Sequence, residues 1–191
     1  MSLDLEFHPL TSERWPEIEK LFEGDRICGQ CWCMYWRLKR SEFQKQLGRG
    51  NKAALKRTVN SGEVPGIIAY ADGQPVGWCS VAPRESFPAL ERSRVFRRVD
   101  DRPVWSIVCF YVVRQFRRRG VTAALIGAAI DYVKERGGEI VEGYPVEPSK
   151  RRITDTLAYM GVASTFRRVG FVEILRRSET HPIMRYVIGE E

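Results

Sequence analysis

The chain has 191 residues, 43% of them hydrophobic and 29% charged, so one domain spanning 1–191 can bury a substantial core. Its 31 Lys and Arg residues outnumber its 24 Asp and Glu residues, and the resulting net charge of +7 suits a polyanionic ligand. The sequence has no run of 18 apolar residues and no leader pattern at its N-terminus, so we expect a cytoplasmic protein rather than a membrane protein. The number of cysteines is odd, so we expect reduced thiols rather than a disulfide scaffold.

The first part of the chain predicts a strand, two helices and a hairpin. Residues 3–8 alternate in the way a strand does, and a helix is expected to end near Phe22. Asn51 is placed to cap a second helix that ends near Gly62. Two apolar runs within 66–81 flank an Asp-Gly pair, which favours the tight turn of a hairpin.

The second part predicts a strand, a buried helix and three further strands. The apolar run at 104–113 indicates a buried strand, and the helix at 121–136 is apolar nearly all round, which is typical of a core helix. Strands are expected at 139–144, 171–175 and 184–188. The strand–helix–strand unit predicts a right-handed parallel crossover, and the hairpin predicts antiparallel neighbours, so the fold class is α+β with a mixed sheet.

A basic turn stands between the long strand and the core helix. Arg117, Arg118 and Arg119 precede the helix, although the positive end of a helix dipole disfavours cations. Gly120 allows close backbone approach, and free N–H groups with guanidinium donors form a phosphate site. The alternative is a basic turn exposed to solvent. We weigh a compact phosphorylated ligand above a nucleic acid because no nucleic-acid-binding motif accompanies the arginines.

The chain resembles the GNAT superfamily of N-acetyltransferases at this turn. That family carries Gln/Arg-x-x-Gly-x-Gly/Ala between its fourth strand and the next helix, and residues 117–122 match it with Thr122 at the last position. The pair Gly170-Phe171 is similar to the late Gly-Phe pair of the family. The resemblance implies a mostly antiparallel central sheet with helices on both faces, acetyl-CoA as the acyl donor and a small-molecule or peptide amine as the acceptor.

The resemblance also assigns the donor site. The backbone of Val112 and Val113 is expected to pair with the pantetheine arm as an added strand. The pyrophosphate is expected at six residues, which are Arg117, Arg118, Arg119, Gly120, Val121 and Thr122. A plain core strand is the alternative for the two valines, and both interpretations can hold because the family uses backbone groups.

The acid that protonates the leaving thiolate is not evident from the sequence. Many relatives place a tyrosine four residues before the late Gly-Phe, and here that position is Phe166, which has no proton to give. The substitutes nearby in sequence are Tyr159, Tyr144 and Ser164, and for each of them a structural role is favoured over a catalytic one.

Glu142 is the candidate base. It lies on a strand that is otherwise apolar, where burial can raise the pKa of a carboxyl group towards the working range. A salt bridge to one of the many arginines is the alternative. Glu147 and Asp155 follow in the next loop as weaker candidates, and proximity alone can supply much of the rate.

A segment rich in cysteine and aromatic residues is a candidate metal site. The residues are Cys28, Cys31, Cys33, Trp32, Tyr35 and Trp36. Zinc usually takes four ligands in two spaced pairs, and no second pair follows, so we expect no metal. Packing thiols are one interpretation. The other is that Trp32, Tyr35 and Trp36 form the aromatic wall of the acceptor pocket.

Together these features predict an acyl-CoA-dependent N-acetyltransferase that moves acetyl directly to an unidentified amine. Two alternatives stay open, namely an acyl-CoA-binding protein without catalysis and a basic nucleic-acid-binding module. The sequence also leaves open a homodimer, the length of the acyl group and the identity of the acceptor.

Overall fold

A seven-stranded sheet forms the centre of the computed structural model, which describes residues 3–147 and 158–189. The strands are β1 Glu6–Pro9, β2 Gly66–Ala71, β3 Gln74–Pro83, β4 Trp105–Val112, β5 Ile140–Gly143, β6 Val172–Arg176 and β7 Pro182–Val187. Their order in the sheet is β1-β2-β3-β4-β5-β7-β6, and β4 pairs with β5 in parallel while the other neighbours pair antiparallel. This sheet confirms the predicted mixed, mostly antiparallel α+β architecture.

Helices cover both faces of the sheet. They are α1 Trp15–Glu23, α2 Cys28–Cys31, α3 Arg40–Lys45, α4 Arg49–Asn60, α5 Pro88–Glu91, α6 Val121–Glu135 and α7 Ala163–Arg168. Helix α6 packs on one face with an apolar cluster that includes Leu125 and Ala129. Helices α1 and α4 pack on the opposite face through a second cluster that includes Phe22 and Leu55.

The hairpin and the crossover helix form where the sequence predicts them. Asp72 and Gly73 have φ of +49° and +69°, as the two central residues of a primed turn require. Helix α6 buries seven of its fifteen residues, which confirms the predicted core helix. The predicted cap at Asn51 is wrong, because α4 begins at Arg49. Asn51 is fully buried within the helix, and its amide donates to the carbonyl of Gln30 at 3.0 Å.

The parallel ladder between β4 and β5 is short. It joins Trp105–Ile107 to Val141–Gly143, after which β5 ends while β4 continues to Val112. Phe166 occupies the space next to the last pair, since a Cβ on Gly143 would lie 2.3 Å from its Cε1 atom. Beyond Ile107, β4 therefore has no strand paired with it on the β5 side within residues 3–147 and 158–189.

A buried cluster of ionic groups lies at the base of this opening. Glu142 is 1% exposed, and its Oε1 accepts hydrogen bonds from Arg84 Nη1 at 3.0 Å and from the Tyr144 hydroxyl at 2.6 Å. Its Oε2 accepts from Arg185 Nε at 2.7 Å. Arg185 in turn donates to both carboxylate oxygens of Asp100, at 2.6 and 3.0 Å. Each buried arginine is therefore balanced by a carboxylate.

We expect Glu142→Gln to destabilise the fold by about 3–5 kcal/mol, because it leaves two buried guanidinium groups without their shared carboxylate. Glu85→Gln is the matched control, since Glu85 pairs with Arg98 near the surface and that loss should be under about 1 kcal/mol. Urea unfolding followed by circular dichroism measures both. Equal stability of the two variants would contradict a structural role for Glu142.

Candidate functional site

A cavity of about 990 Å³ lies along the open edge of β4. One wall is β4 itself from Cys109 to Val112, and the opposite wall comes from residues 158–162 and from α7. The start of α6 and the segment between α1 and α3 also line it. The recess thus lies where the two parallel strands part.

Backbone groups of β4 point into this cavity. Val113 N–H donates to the Val76 carbonyl at 2.9 Å on the β3 side, so the alternating neighbours Val112 and Phe110 face the other way. Phe110 N–H donates to the Tyr159 carbonyl at 2.6 Å on the cavity side. An extended ligand can therefore add to the edge of β4 at Val112 as an extra strand would.

The backbone groups of Val113 do not point into the cavity. Its N–H is engaged by β3, and its carbonyl accepts from Phe116 N–H at 2.8 Å. The prediction that Val113 pairs with a ligand along with Val112 is corrected accordingly. The reason is the period of two in a strand, which sends the backbone groups of adjacent residues to opposite edges.

The N-terminus of α6 presents free donors to the same cavity. The first hydrogen bond within the helix runs from Ala124 N–H to the Gly120 carbonyl at 3.1 Å. The N–H groups of Val121, Thr122 and Ala123 precede it, and all three residues line the cavity. Gly120 has φ of +85°, and a Cβ there would meet no protein atom within 4 Å. An anion can therefore approach this backbone closely.

The arginines of the basic turn have separate positions. Arg117 and Arg118 line the cavity, and Arg117 Nε donates to the Val112 carbonyl at 2.8 Å, which holds the turn against the end of β4. Arg119 lies outside the cavity lining, with its guanidinium 5.8 Å from the centre of the Phe116 ring. Arg168 of α7 also lines the cavity, which no local pattern in the sequence indicates.

The segment between α1 and α3 brings apolar side chains and one acid to the cavity. Phe22, Ile27 and Phe43 contribute apolar surface there. Asp25 is the only carboxylate among the described residues that line the cavity. Its Oδ1 accepts N–H bonds from Ile27 and Cys28, both at 2.9 Å, so the side chain is held in place at the start of α2. No pattern in the sequence marks Asp25, because it lies in an irregular segment without periodicity.

The three predicted aromatic wall residues divide between the core and two cavities. Trp32 is 2% exposed, stacks on Trp15 at 5.9 Å and donates its indole N–H to Gly29, so its assignment to the acceptor wall is corrected to core packing. Trp36 lines a separate cavity of about 280 Å³. Tyr35 lines both cavities.

The predicted catalytic residues lie in two different places, the large cavity and the buried ionic cluster. Tyr159 lines the large cavity, and burial raises the pKa of its hydroxyl well above the usual range. Glu142 and Tyr144 do not line it but belong to the ionic cluster, where burial and the charge of Glu142 raise the pKa of Tyr144. Glu142 as the base is corrected on this ground, because three donors already occupy its carboxylate.

The remaining catalytic candidates are Glu147, Asp155 and Ser164. Glu147 is paired with Arg167 and Arg176, and these hydrogen bonds lower the pKa of Glu147 to about 2, which makes it a poor proton acceptor. Asp155 lies outside the described residues. Ser164 does not line the cavity.

The described residues contain neither a membrane-spanning helix nor a cluster of metal-binding side chains. None of their helices is both long enough and apolar enough to cross a bilayer. Within the same ranges, no three His, Cys, Asp or Glu side chains are grouped in a way that could hold a metal ion.

Comparisons with known proteins agree with this architecture. The model of the acetyltransferase (GNAT) family matches residues 31–153. A GNAT-family acetyltransferase structure from Listeria monocytogenes is 10% identical with a TM-score of 0.60, and the match covers 97% of this chain and 96% of that one. The PaiA N-acetyltransferase from Thermoplasma acidophilum in complex with coenzyme A is 12% identical with a TM-score of 0.54, covering 97% and 99%.

An agmatine N-acetyltransferase structure is 13% identical with a TM-score of 0.57, and the match covers 97% of this chain and 99% of that one. At these identities the structures show the shared fold. A search of curated protein sequences finds no match.

We expect Gly120→Leu to weaken binding of coenzyme A about tenfold or more, because the new side chain occupies the approach to the free N–H groups of α6. Gly62→Leu is the matched control, since Gly62 also has a positive φ, of +87°, and open space around its Cβ position. Both variants should lose a similar stability of about 1–2 kcal/mol. Titration calorimetry with coenzyme A separates them, and equal affinities would contradict an anion site at α6.

Proposed function

This chain belongs to the GNAT acetyltransferase family, and on that premise we propose that it transfers acetyl directly from acetyl-CoA to a small amine. The observation that carries the proposal is the continuity of one cavity. The open edge of β4 leads without interruption to the N-terminus of α6, so a ligand with an extended arm and a pyrophosphate meets a suitable partner at each point.

The donor is held mainly by backbone groups. Amides of its arm pair with Val112, while the pyrophosphate accepts from the N–H groups at 121–123 and from the guanidinium groups of Arg117 and Arg118. Arg168 adds positive charge from the opposite wall. The thioester then lies near Phe110 and Tyr159, where the walls of the cavity approach each other.

The acceptor is proposed to enter from the α1–α3 end. An amine arrives there largely as an ammonium ion, and Asp25 supplies the opposite charge. The rings of Phe22, Tyr35 and Phe43 provide apolar surface for the rest of the molecule. This combination favours a small primary amine with an apolar body.

Tyr159 is proposed to supply the proton for the leaving sulfur. The amine nitrogen bonds to the acetyl carbon, the carbon–sulfur bond breaks, and the thiolate takes a proton from the Tyr159 hydroxyl, which solvent then restores. The proton of the amine is lost to solvent, since Glu142 is already engaged by its arginines. Positioning of the two substrates supplies much of the remaining acceleration. A cytoplasmic location and a homodimer stay predictions.

We expect Tyr159→Phe to lower kcat about 10²-fold with little change in the KM for acetyl-CoA, since it removes the proton donor and keeps the ring. Tyr70→Phe is the control, because Tyr70 is a buried tyrosine on β2 that does not line the cavity. Release of free CoA thiol over a panel of primary amines gives both constants. An unchanged kcat would contradict a catalytic role for Tyr159.

The pH profile tests the same role. Because burial raises the pKa of Tyr159, the hydroxyl keeps its proton throughout the neutral and moderately alkaline range. The rate should rise with pH as the amine loses its proton and should not fall before about pH 10. A descending limb near pH 8 would assign the donated proton to another group.

We expect Tyr35→Ala to raise the KM for the amine several-fold while the KM for acetyl-CoA stays the same, because Tyr35 lines the proposed acceptor end. Trp32→Ala should instead lower stability by about 3–5 kcal/mol, because it empties a core position. Steady-state kinetics and urea unfolding of both variants give the comparison. If Trp32→Ala instead raised the KM for the amine and Tyr35→Ala lowered stability, Trp32 would be the acceptor-site residue and Tyr35 the core residue.

A further inference from the structure

A smaller cavity of about 280 Å³ adjoins the large one. Residues within 35–40, which lead into α3, and within 89–93, around the end of α5, line it. Tyr35 lines both cavities, so the two meet at its side chain. The smaller volume lies just below the roughly 300–1,000 Å³ of a typical ligand pocket, so it suits one end of a ligand rather than a whole molecule.

The ring of Tyr35 contacts aromatic groups that belong to each cavity. Its centre lies 5.0 Å from that of Trp36, which lines the small cavity, and 5.4 Å from that of Phe43, which lines the large one. Tyr35 and Tyr159 both pack against the apolar cluster that contains Trp36. The small cavity is therefore close to the tyrosine that is proposed to act in the transfer.

Among the described residues, two arginines and no carboxylate line the small cavity. Arg40 Nη1 donates to the Tyr35 hydroxyl at 2.8 Å, and Arg92 Nη2 donates to the Leu38 carbonyl at 3.3 Å. A guanidinium group has more N–H donors than these single bonds engage, so each arginine keeps others for a ligand. No carboxylate within residues 3–147 or 158–189 forms an ion pair with either one, and Glu91, which precedes Arg92, is engaged by other arginines.

Hydrogen bonds between its two segments hold the small cavity in shape. Ala89 N–H donates to the Trp36 carbonyl at 3.1 Å, which ties α5 to the segment that leads into α3. The bond from Arg92 to Leu38 is a second tie between the same segments. A recess with two guanidinium groups from separate segments favours an anion with several oxygens.

We propose that the small cavity binds an anionic group, a carboxylate or a phosphate, at the far end of the amine acceptor. Arg40 and Arg92 donate charge-assisted hydrogen bonds to its oxygens, and the ring of Tyr35 lies against the chain that joins the anion to the amine. The amine reaches the thioester in the large cavity. The acceptors are accordingly amino carboxylates or aminoalkyl phosphates rather than simple alkylamines. Transfer to them rests on the proposed function, whereas binding of the anionic group does not.

Matched pairs of primary amines test the anionic group. The first series compares ω-amino carboxylates of increasing length with their neutral carboxamides, and the second compares aminoalkyl phosphates with the corresponding amino alcohols. We expect kcat/KM to be about tenfold or more higher for the anionic member, with an advantage that shrinks as salt is added. The series with the larger ratio identifies the anion. Equal constants within every pair would overturn the proposal.

A pair of double variants tests the arginines. Arg40→Gln/Arg92→Gln should raise the KM for the anionic amine about tenfold or more, while the KM for acetyl-CoA stays the same. Lys39→Gln/Arg94→Gln is the matched control, because it removes the same charge from exposed residues that line neither cavity. Circular dichroism checks the fold of both. An equal rise in KM in the two variants would assign the effect to the general charge of the surface and overturn the site.

Titration calorimetry separates this inference from the proposed function. The ω-amino carboxylates and aminoalkyl phosphates are titrated into the full chain with and without free CoA. We expect binding that weakens about tenfold or more in Arg40→Gln/Arg92→Gln. If that holds but no amine is acetylated, the proposed function fails and the anion site stands. If amines are acetylated without any dependence on the two arginines, or if neither series binds, the anion site is wrong.

Discussion

The buried carboxylate of Glu142 determines where the sheet opens. Glu142 lies opposite Ser106 in the short parallel ladder, and it holds Arg84, which follows β3, and Arg185 on β7. A buried charge must keep its partners, so these elements share one fixed register at the base of the cavity. Immediately beyond this point β5 ends at Gly143, and β4 continues alone.

The lining of the cavity carries charges of both signs. It combines free N–H groups at the start of α6 and the guanidinium groups of Arg117, Arg118 and Arg168 with the carboxylate of Asp25. Under the proposed function, the positive groups attract a phosphate-rich donor and Asp25 attracts a cationic acceptor. The proposed donor contacts are mainly to backbone groups, so the side chain of Thr122 is compatible with them.

The sequence predicted those parts of the fold that local patterns determine. The strand at β4, the apolar helix α6 and the glycine between them follow from periodicity and helix-end chemistry, and all are found. The two arginine partners of Glu142 lie 58 and 43 residues away, and no spacing rule connects them. The segment at 25–36 is irregular, so the sequence could not tell the core residue Trp32 from the lining residue Tyr35 or reveal Asp25.

The hydrogen bond from Phe110 N–H to the Tyr159 carbonyl limits how deep a ligand can thread along β4. Behind it, the rings of Phe110 and Phe166 lie against Gly161, where even a Cβ would be 2.7 Å from Phe166. An extended group that reached past this point would have to break that hydrogen bond and displace the packed rings, so this backbone contact marks the inner limit of the groove among the described residues.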